Sequence, residues 1–89
     1  MKQRYLEVSY RRGKPLAAYL YLPRRADDRS GRTERHEAGL IIDYAPDGRP
    51  IGVEITAPQA VPLERLNTLL VELGQLPLAE QDYRTIRAA

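Results

Sequence analysis

Hydrophobic and polar residues alternate cleanly over residues 4–10, which is typical of a half-buried β-strand, and three further short apolar stretches bounded by glycine and proline also predict strands. The four predicted strands span residues 4–10, 16–22, 40–45 and 50–56. The second strand has leucines on one face and alanine and tyrosine on the other, and the last two strands also carry apolar residues on both faces. The pattern therefore predicts a sheet in which neither face is purely polar.

A tight turn is predicted between the last two strands, at Pro46, Asp47 and Gly48. Proline fixes φ at the first corner, aspartate bonds back to its own backbone, and glycine adopts the left-handed conformation. A three-residue hairpin loop of this kind places Ala45 opposite Arg49. The two strands and their turn form the most clearly predicted unit of the chain.

Continuing that register along the hairpin pairs Asp43 with Ile51 and Ile41 with Val53. Asp43 and Glu54 then lie on opposite faces of the sheet. Two carboxylates on opposite faces do not make the paired acid and base that general catalysis needs. The hairpin therefore predicts no catalytic pair.

The segment of residues 24–35 is polar, contains a glycine and has no apolar periodicity, which predicts a mobile loop outside the core. Tyr19 and Tyr21 precede it. Arginine contacts phosphate and exposed tyrosine stacks on bases, so weak nucleic-acid binding is the alternative function that the sequence leaves open. The arginines that would carry it are Arg24, Arg25, Arg29, Arg32 and Arg35.

A helical tail is predicted over residues 62–88. Pro62 suits a first helical position, leucines at spacings of three and four form one stripe after it, and Gly74 suits the end of the helix. A second short helix is predicted over residues 78–87, with a thin apolar stripe at Ala79, Tyr83 and Ile86. The first helix has enough leucines to cover one face of the sheet.

Together these elements predict a single α+β domain over residues 1–89. It is a four-stranded, mostly antiparallel β-meander, over residues 4–57, with one or two C-terminal helices packed on one face. The second face must also be buried, because exposing several apolar residues to solvent would cost a small domain much of its stability. This predicts a homodimer, sheet to sheet or edge to edge, or a partner protein. The residues predicted to bind that partner are Leu78, Tyr83 and Ile86.

The composition argues against several kinds of metal-binding and catalytic site. The 89 residues contain no cysteine and one histidine, His36, which lies between charged neighbours, so the usual zinc site cannot assemble and no metal or cofactor is expected. No serine lies in a nucleophile elbow and no glycine-rich phosphate loop is present. The protein is therefore not expected to be an enzyme. If a catalytic site formed across a dimer interface, Tyr44 and Glu54 would be the first residues to consider.

No stretch approaches membrane-spanning length and no signal sequence opens the chain, so a cytoplasmic location is expected.

Charge is unevenly distributed although the formal net charge is only +2. Residues 1–36 hold ten lysines and arginines against four acids, and residues 37–89 hold four arginines against eight acids. Such asymmetry is compatible with an anionic partner for the first half, or with the two halves facing each other in a dimer.

The hairpin resembles a known family, the domain-of-unknown-function family DUF2283. The residues that carry the resemblance are an apolar strand ending in Asp43-Tyr44, the turn Asp47-Gly48, and Gly52-Val53-Glu54-Ile55. Tyr10 and Ala18-Tyr19-Leu20 match an earlier part of the family pattern, whereas Arg11 replaces an acidic residue of that pattern. The resemblance extends over roughly residues 4–57 and leaves out the helical tail.

The resemblance implies a small, sheet-rich, cytoplasmic protein of bacterial or archaeal type, without assigned enzymatic activity. Members of the family often accompany a small toxin-like protein, which implies an antitoxin-like role. The sequence and the resemblance together favour a protein-interaction and dimerisation module that neutralises a small protein partner.

Overall fold

The computed structural model describes residues 5–37 and 39–87, with side chains as far as Tyr83. Within these residues one β-sheet is followed by three helices, which confirms the α+β class. The strands are β1 (Tyr5–Arg11), β2 (Lys14–Tyr21), β3 (Arg32–Glu37), β4 (Leu40–Tyr44) and β5 (Pro50–Ile55), and the helices are the 3-10 helix Pro58–Ala60, α1 (Leu63–Glu72) and α2 (Glu80–Arg87).

The sheet has five strands in the order β1-β2-β5-β4-β3, and every neighbouring pair is antiparallel. The predicted four-stranded meander is therefore wrong in two respects. The sheet has a fifth strand, and β2 pairs with β5 instead of with β4. This order arises because β3 takes one edge of β4 and β5 takes the other, so that β5 occupies the centre of the sheet.

The additional strand, β3, lies where the sequence predicted the last part of a mobile loop. All six of its residues, Arg32–Glu37, are exposed. It joins the sheet by backbone pairing with β4, across a turn in which Gly39 has φ 91°. Because no residue of β3 is buried, the segment has no apolar alternation from which a strand could be predicted.

The predicted turn between β4 and β5 is confirmed. The Ala45 amide donates to the Arg49 carbonyl at 2.8 Å, and Gly48 has φ 94°. Beyond the turn the predicted register is wrong by one residue, because a bulge leaves Ile51 unpaired and brings Asp43 opposite Gly52. A shift of one residue exchanges the faces of a strand, which changes the neighbours of every side chain along it.

The core lies between the helices and one face of the sheet, which we call the inner face. Fully buried side chains of β2, β4 and β5 meet the leucine stripe of α1, as the sequence predicts. The buried residues of this core are Ala18, Leu20, Leu22, Leu40, Ile42, Val53, Ile55, Val61, Leu66, Leu69, Leu70 and Tyr83. Both predicted helices are thus present and lie on the same side of the sheet.

The two helices are fixed by local hydrogen bonds. Gly74 has φ 77° just after α1, and the amide of Gln75 donates to the carbonyl of Leu70 at 2.8 Å, which closes the helix end as predicted. Pro62 precedes the first helical residue instead of occupying that position. The Asn67 side chain accepts from the Leu78 amide at 2.8 Å and donates to its carbonyl at 3.1 Å, which fastens the connection to α2 against α1.

No helix in residues 5–37 and 39–87 is long and apolar enough to cross a membrane.

Candidate functional site

The outer face of the sheet, opposite the helices, carries tyrosines and carboxylates. The strand pairing places Tyr5, Glu7, Tyr19, Tyr21, Ile41, Asp43, Gly52 and Glu54 on this face. The register shift in the hairpin matters at this face, because it brings Asp43 and Glu54 to the same side. The prediction that they lie on opposite faces is therefore wrong. In the described residues this face has few aliphatic side chains, so it is polar and aromatic instead of a second apolar face.

The centre of the outer face is a packed contact between β2, β4 and β5. The hydroxyl of Tyr19 donates to Oδ2 of Asp43 at 2.8 Å. The Tyr19 ring lies over Gly52, where an added Cβ would come within 2.0 Å of the hydroxyl oxygen. Ser30 also donates a hydrogen bond to Asp43. Three residues of the patterns that carry the family resemblance, Tyr19, Asp43 and Gly52, are thus brought into one contact.

The loop between β2 and β3 is called the connecting loop (residues 22–31). Its residue Arg24 packs against the contact of Tyr19, Asp43 and Gly52. Its guanidinium lies 5.1 Å from the centre of the Tyr21 ring and 3.4 Å from the Tyr19 hydroxyl. It also donates to the carbonyl of Ile51, the residue that the bulge leaves unpaired. The same carbonyl accepts from the Leu22 amide at 3.1 Å, so Arg24 is a second donor to this backbone oxygen beside the bulge.

The Tyr19 hydroxyl is a neutral hydrogen-bond donor in this setting. Burial raises the pKa of Tyr19 to about 12; the hydrogen bond from Arg24 opposes this rise, and the hydrogen bond to Asp43 adds to it. A phenol with that pKa stays protonated at neutral pH. The contact between Tyr19 and Asp43 therefore acts as a structural link across the sheet and does not provide a base.

Beside this contact the outer face is open and aromatic. The rings of Tyr5 and Tyr21 stack with centroids 4.4 Å apart, and Tyr19 and Tyr21 are tilted with centroids 4.6 Å apart. The Tyr21 hydroxyl donates to Glu7 at 3.1 Å, and this hydrogen bond is the main cause that raises the pKa of Tyr21. Tyr5 is 54% exposed and Glu54 is exposed in the middle of the face. These groups are available to a partner.

The connecting loop is held against the β4–β5 turn by an ion-pair cluster. The guanidinium of Arg49 donates to both carboxylate oxygens of Asp28, at 2.7 and 3.1 Å, and to Asp47 at 2.8 Å. The backbone amide of Arg25 also donates to Asp28, at 2.8 Å. The loop is therefore tied to the hairpin at several points, an attachment that the sequence did not predict, and its mobility stays a prediction.

A close backbone approach completes this attachment. The amide of Gly31 donates to the carbonyl of Tyr44 at 2.7 Å. A Cβ at Gly31 would lie 2.7 Å from backbone atoms of Pro46, which cannot move aside as a flexible side chain could. The loop can therefore reach the turn only because residue 31 has no side chain.

Acid stability is expected to depend on Asp28. Hydrogen bonds from Arg49 above all, and also from the Arg25 amide, lower the pKa of Asp28 below its ordinary value of 3.8. The stabilisation is therefore fully present above pH 3.8 and is lost as the pH falls through the lowered pKa. Urea unfolding between pH 6 and pH 2 should show a steeper acid loss for the parent protein than for Asp28→Asn. The control Asp27→Asn, at an exposed neighbour, should keep the parent's slope; equal slopes for all three proteins would contradict this role.

The arginines predicted to bind nucleic acid are distributed over different environments. Arg24 is turned onto the sheet, and Arg32 lies over the ring of Tyr44 with 4.1 Å between the guanidinium carbon and the ring centre. Arg25, Arg29 and Arg35 are exposed. The structure therefore does not gather the five arginines into one surface, and nucleic-acid binding stays a prediction.

The residues predicted to bind a partner in the tail have different positions too. Tyr83 is only 2% exposed, and its hydroxyl donates to the carbonyl of Val61 at 2.7 Å. Tyr83 is therefore a core residue. Leu78 is half-buried against the core, and the side chain of Ile86 lies outside the described residues.

The remaining candidates do not come together. Tyr44 packs toward the core on the inner face, whereas Glu54 lies on the outer face, so the two do not line one pocket within the chain. His36 is exposed in β3. Among the described residues there is no group of three histidine, cysteine, aspartate or glutamate side chains that could hold a metal ion.

The fold and the outer face define a small α+β protein in which a five-stranded antiparallel sheet is covered by helices on one side. Residues 17–57 match the family model described as "Protein of unknown function (DUF2283)". The match confirms the resemblance seen in the sequence. It begins within β2, covers β3, β4 and β5, and does not extend to β1 or to the helices.

No curated protein and no solved structure matches the chain.

Proposed function

We propose that this chain is a binding protein, not an enzyme, and that it captures a basic protein partner on the outer face of its sheet. The observation that carries the proposal is the arrangement of three carboxylates among three tyrosines on one face. The carboxylates belong to Glu7, Asp43 and Glu54, and the tyrosines are Tyr5, Tyr19 and Tyr21.

The chemistry of this face suits lysine and arginine side chains of a partner. Exposed carboxylates pair with cations, and the stacked rings of Tyr5 and Tyr21 offer an aromatic surface to a guanidinium. Tyrosine is enriched at protein interfaces because it adds a large contact area with few rotatable bonds. The same carboxylates disfavour a polyanion, which supports a protein partner above nucleic acid on this surface.

The role that we propose for this capture is the neutralisation of a small partner, in the manner of an antitoxin. The family resemblance supports a small toxin-like protein as that partner, and the acidic face supports a partner with a basic surface. Binding would then mask the basic residues of the partner. The polar contacts of Tyr19, Asp43 and Arg24 would keep the face rigid, so that little ordering is needed on binding.

The test uses a fluorescein-labelled hexa-arginine peptide as a probe, with binding measured by fluorescence anisotropy at low salt. Glu54→Lys reverses a charge in the middle of the face and is expected to weaken binding about tenfold, which corresponds to about 1.4 kcal/mol. The matched control is Glu72→Lys, the same change at an exposed position of α1 on the other side of the molecule.

The control is expected to change the affinity less than twofold. Equal losses for both variants would mean that the peptide responds only to net charge, and would contradict a specific binding face. Equal binding of a hexa-glutamate peptide would contradict the proposed chemistry of the partner.

A further inference from the structure

The two edges of the sheet differ in how well they are protected against pairing with another strand. The β3 edge, Arg32–Glu37, is fully exposed and carries four charged residues and a histidine in its six positions. Charged side chains are a common device that prevents edge-to-edge association. The β1 edge, Tyr5–Arg11, is seven residues long and carries only Glu7 and Arg11 as charges. Within the described residues, β1 is therefore the edge that is open to a further strand.

We propose that β1 pairs with β1 of a second copy of this chain. The two strands would run antiparallel about a twofold axis through Val8, and the two sheets would join into one continuous sheet of ten strands. The strand is seven residues long, so a register centred on Val8 pairs its whole length. A register shifted by one residue would join the inner face of one sheet to the outer face of the other, side by side in the continuous sheet. We exclude that register because it would not match the two faces.

The side chains that this register brings together are complementary. Tyr5 lies opposite Arg11 of the second copy on the outer face, which permits a cation–π contact. Glu7 lies opposite Ser9, and Arg11 of the second copy is its diagonal neighbour, which is close enough for long side chains of opposite charge to interact. Each contact occurs twice because the interface is isologous.

The inner side of the same edge provides a place for an exposed aromatic ring. Tyr10 is 51% exposed, and strand alternation places it on the same side as Leu6. Beside Leu6 lies an open groove of about 370 Å³, which is lined by Tyr5, Leu6, Leu20, Leu78 and Asp82. In the register centred on Val8, Tyr10 of the second copy lies opposite Leu6. Its ring would cover the apolar part of the groove, and Asp82 would be available as an acceptor for its hydroxyl.

This pairing engages Tyr5 and Glu7 at the edge of the outer face and leaves its centre, with Tyr19, Asp43 and Glu54, open in both copies, so it does not depend on the partner binding proposed above. A dimer of this kind would present two copies of the tyrosine and carboxylate face on the same side of one long sheet. It also places the groove beside Leu78 between the copies, which gives that residue a neighbour in the dimer.

Cysteine cross-linking tests both the pairing and its register, because the parent chain has no cysteine. In Val8→Cys the two Cα atoms would be about 4.5–5.5 Å apart across the axis, within the range of a disulfide. In the matched control Ser9→Cys they would be roughly 8 Å apart, beyond that range, because each lies opposite Glu7. We expect rapid oxidation of Val8→Cys to a disulfide dimer on non-reducing gels and little dimer with Ser9→Cys. Equal or faster cross-linking of Ser9→Cys would overturn the register.

A second measurement keeps the proposal testable if Val8→Cys folds poorly, because Val8 packs against the core. Light scattering of the parent protein is expected to give twice the chain mass of 10.1 kDa at high concentration. Arg11→Glu places like charges near Glu7 and should raise the dimer dissociation constant at least tenfold, and adding Glu7→Arg should restore it. Arg35→Glu on the β3 edge is the control and should leave the dimer intact. A parent protein that stays at the monomer mass at every concentration, or an Arg11→Glu variant that behaves as the control does, would overturn the proposal.

Discussion

Tyr83→Ala is expected to lower the free energy of unfolding by about 3–5 kcal/mol, the range for truncation of a large buried aromatic side chain. Tyr83 is 2% exposed in the core beneath the sheet, and its hydroxyl donates to the Val61 carbonyl at 2.7 Å. The substitution leaves a cavity and deprives a buried carbonyl of this donor. Since small domains have about 5–15 kcal/mol of stability in total, the loss would consume a large part of it.

Urea unfolding monitored by circular dichroism measures this loss. Val71→Ala is the control, because Val71 is 60% exposed on α1 and its truncation should cost less than about 0.5 kcal/mol. Tyr83→Phe separates the ring from the hydroxyl and should cost about 1–2 kcal/mol, from the lost hydrogen bond. A loss for Tyr83→Ala similar to that of the control would contradict the core position of this residue.

The position of Tyr83 also changes how partner-binding experiments should be designed. A charged residue at position 83 is expected to release α2 from the sheet, so failure of such a variant to bind a partner would report loss of the fold. Substitutions at exposed residues such as Glu54 avoid this ambiguity. Tyr83 therefore has a structural role in the core, and a contact of Tyr83 with a partner stays a prediction.

Gly52→Ala is expected to lower the free energy of unfolding by about 2–3 kcal/mol, a loss that is typical of overpacking and second only to that of Tyr83→Ala. An added Cβ would lie 2.0 Å from the Tyr19 hydroxyl oxygen and 2.3 Å from the ring carbon that bears it. The ring would have to move away, and its hydrogen bond to Asp43 would be lost. Elsewhere in a strand, alanine is at least as favourable as glycine, so the loss would come from this contact alone.

A double-mutant comparison tests whether the Tyr19 ring causes the loss of unfolding free energy in Gly52→Ala. In a Tyr19→Ala background the ring is absent, and Gly52→Ala should then be neutral or slightly stabilising. Spectrophotometric titration adds an independent readout, since burial raises the pKa of Tyr19 to about 12 and displacement of the ring should return it toward 10. The same loss of stability in both backgrounds would show that the ring is not responsible.

The parts of the fold that depend on local chemistry could be predicted from the sequence. The turn at residues 46–48 and the end of α1 at Gly74 depend on the conformations that proline, aspartate and glycine adopt in short segments. The leucine stripe of α1 is similarly a property of one helix. Each of these features was confirmed because only neighbouring residues determine it.

The parts that depend on distant segments could not be predicted. The position of β5 between β2 and β4 follows from pairing between residues more than 30 positions apart, and β3 has no apolar residue that would reveal it. The bulge at Ile51 is stabilised by Arg24, a residue of another segment, so the hairpin alone does not indicate it. For the same reason the meeting of Tyr19, Asp43 and Gly52 was visible only as three separate parts of a family pattern.

The central position of β5 has a consequence for the order in which the chain can fold. β1 pairs with β2, and β3 pairs with β4, but these two hairpins are joined in the sheet only through β5, the last strand to be synthesised. An isolated two-stranded hairpin is marginally stable in water, so neither half is expected to persist alone. During translation both hairpins therefore remain incomplete until residue 55 has emerged from the ribosome. Insertion of this one strand is then the step that converts two transient hairpins into a cooperative domain.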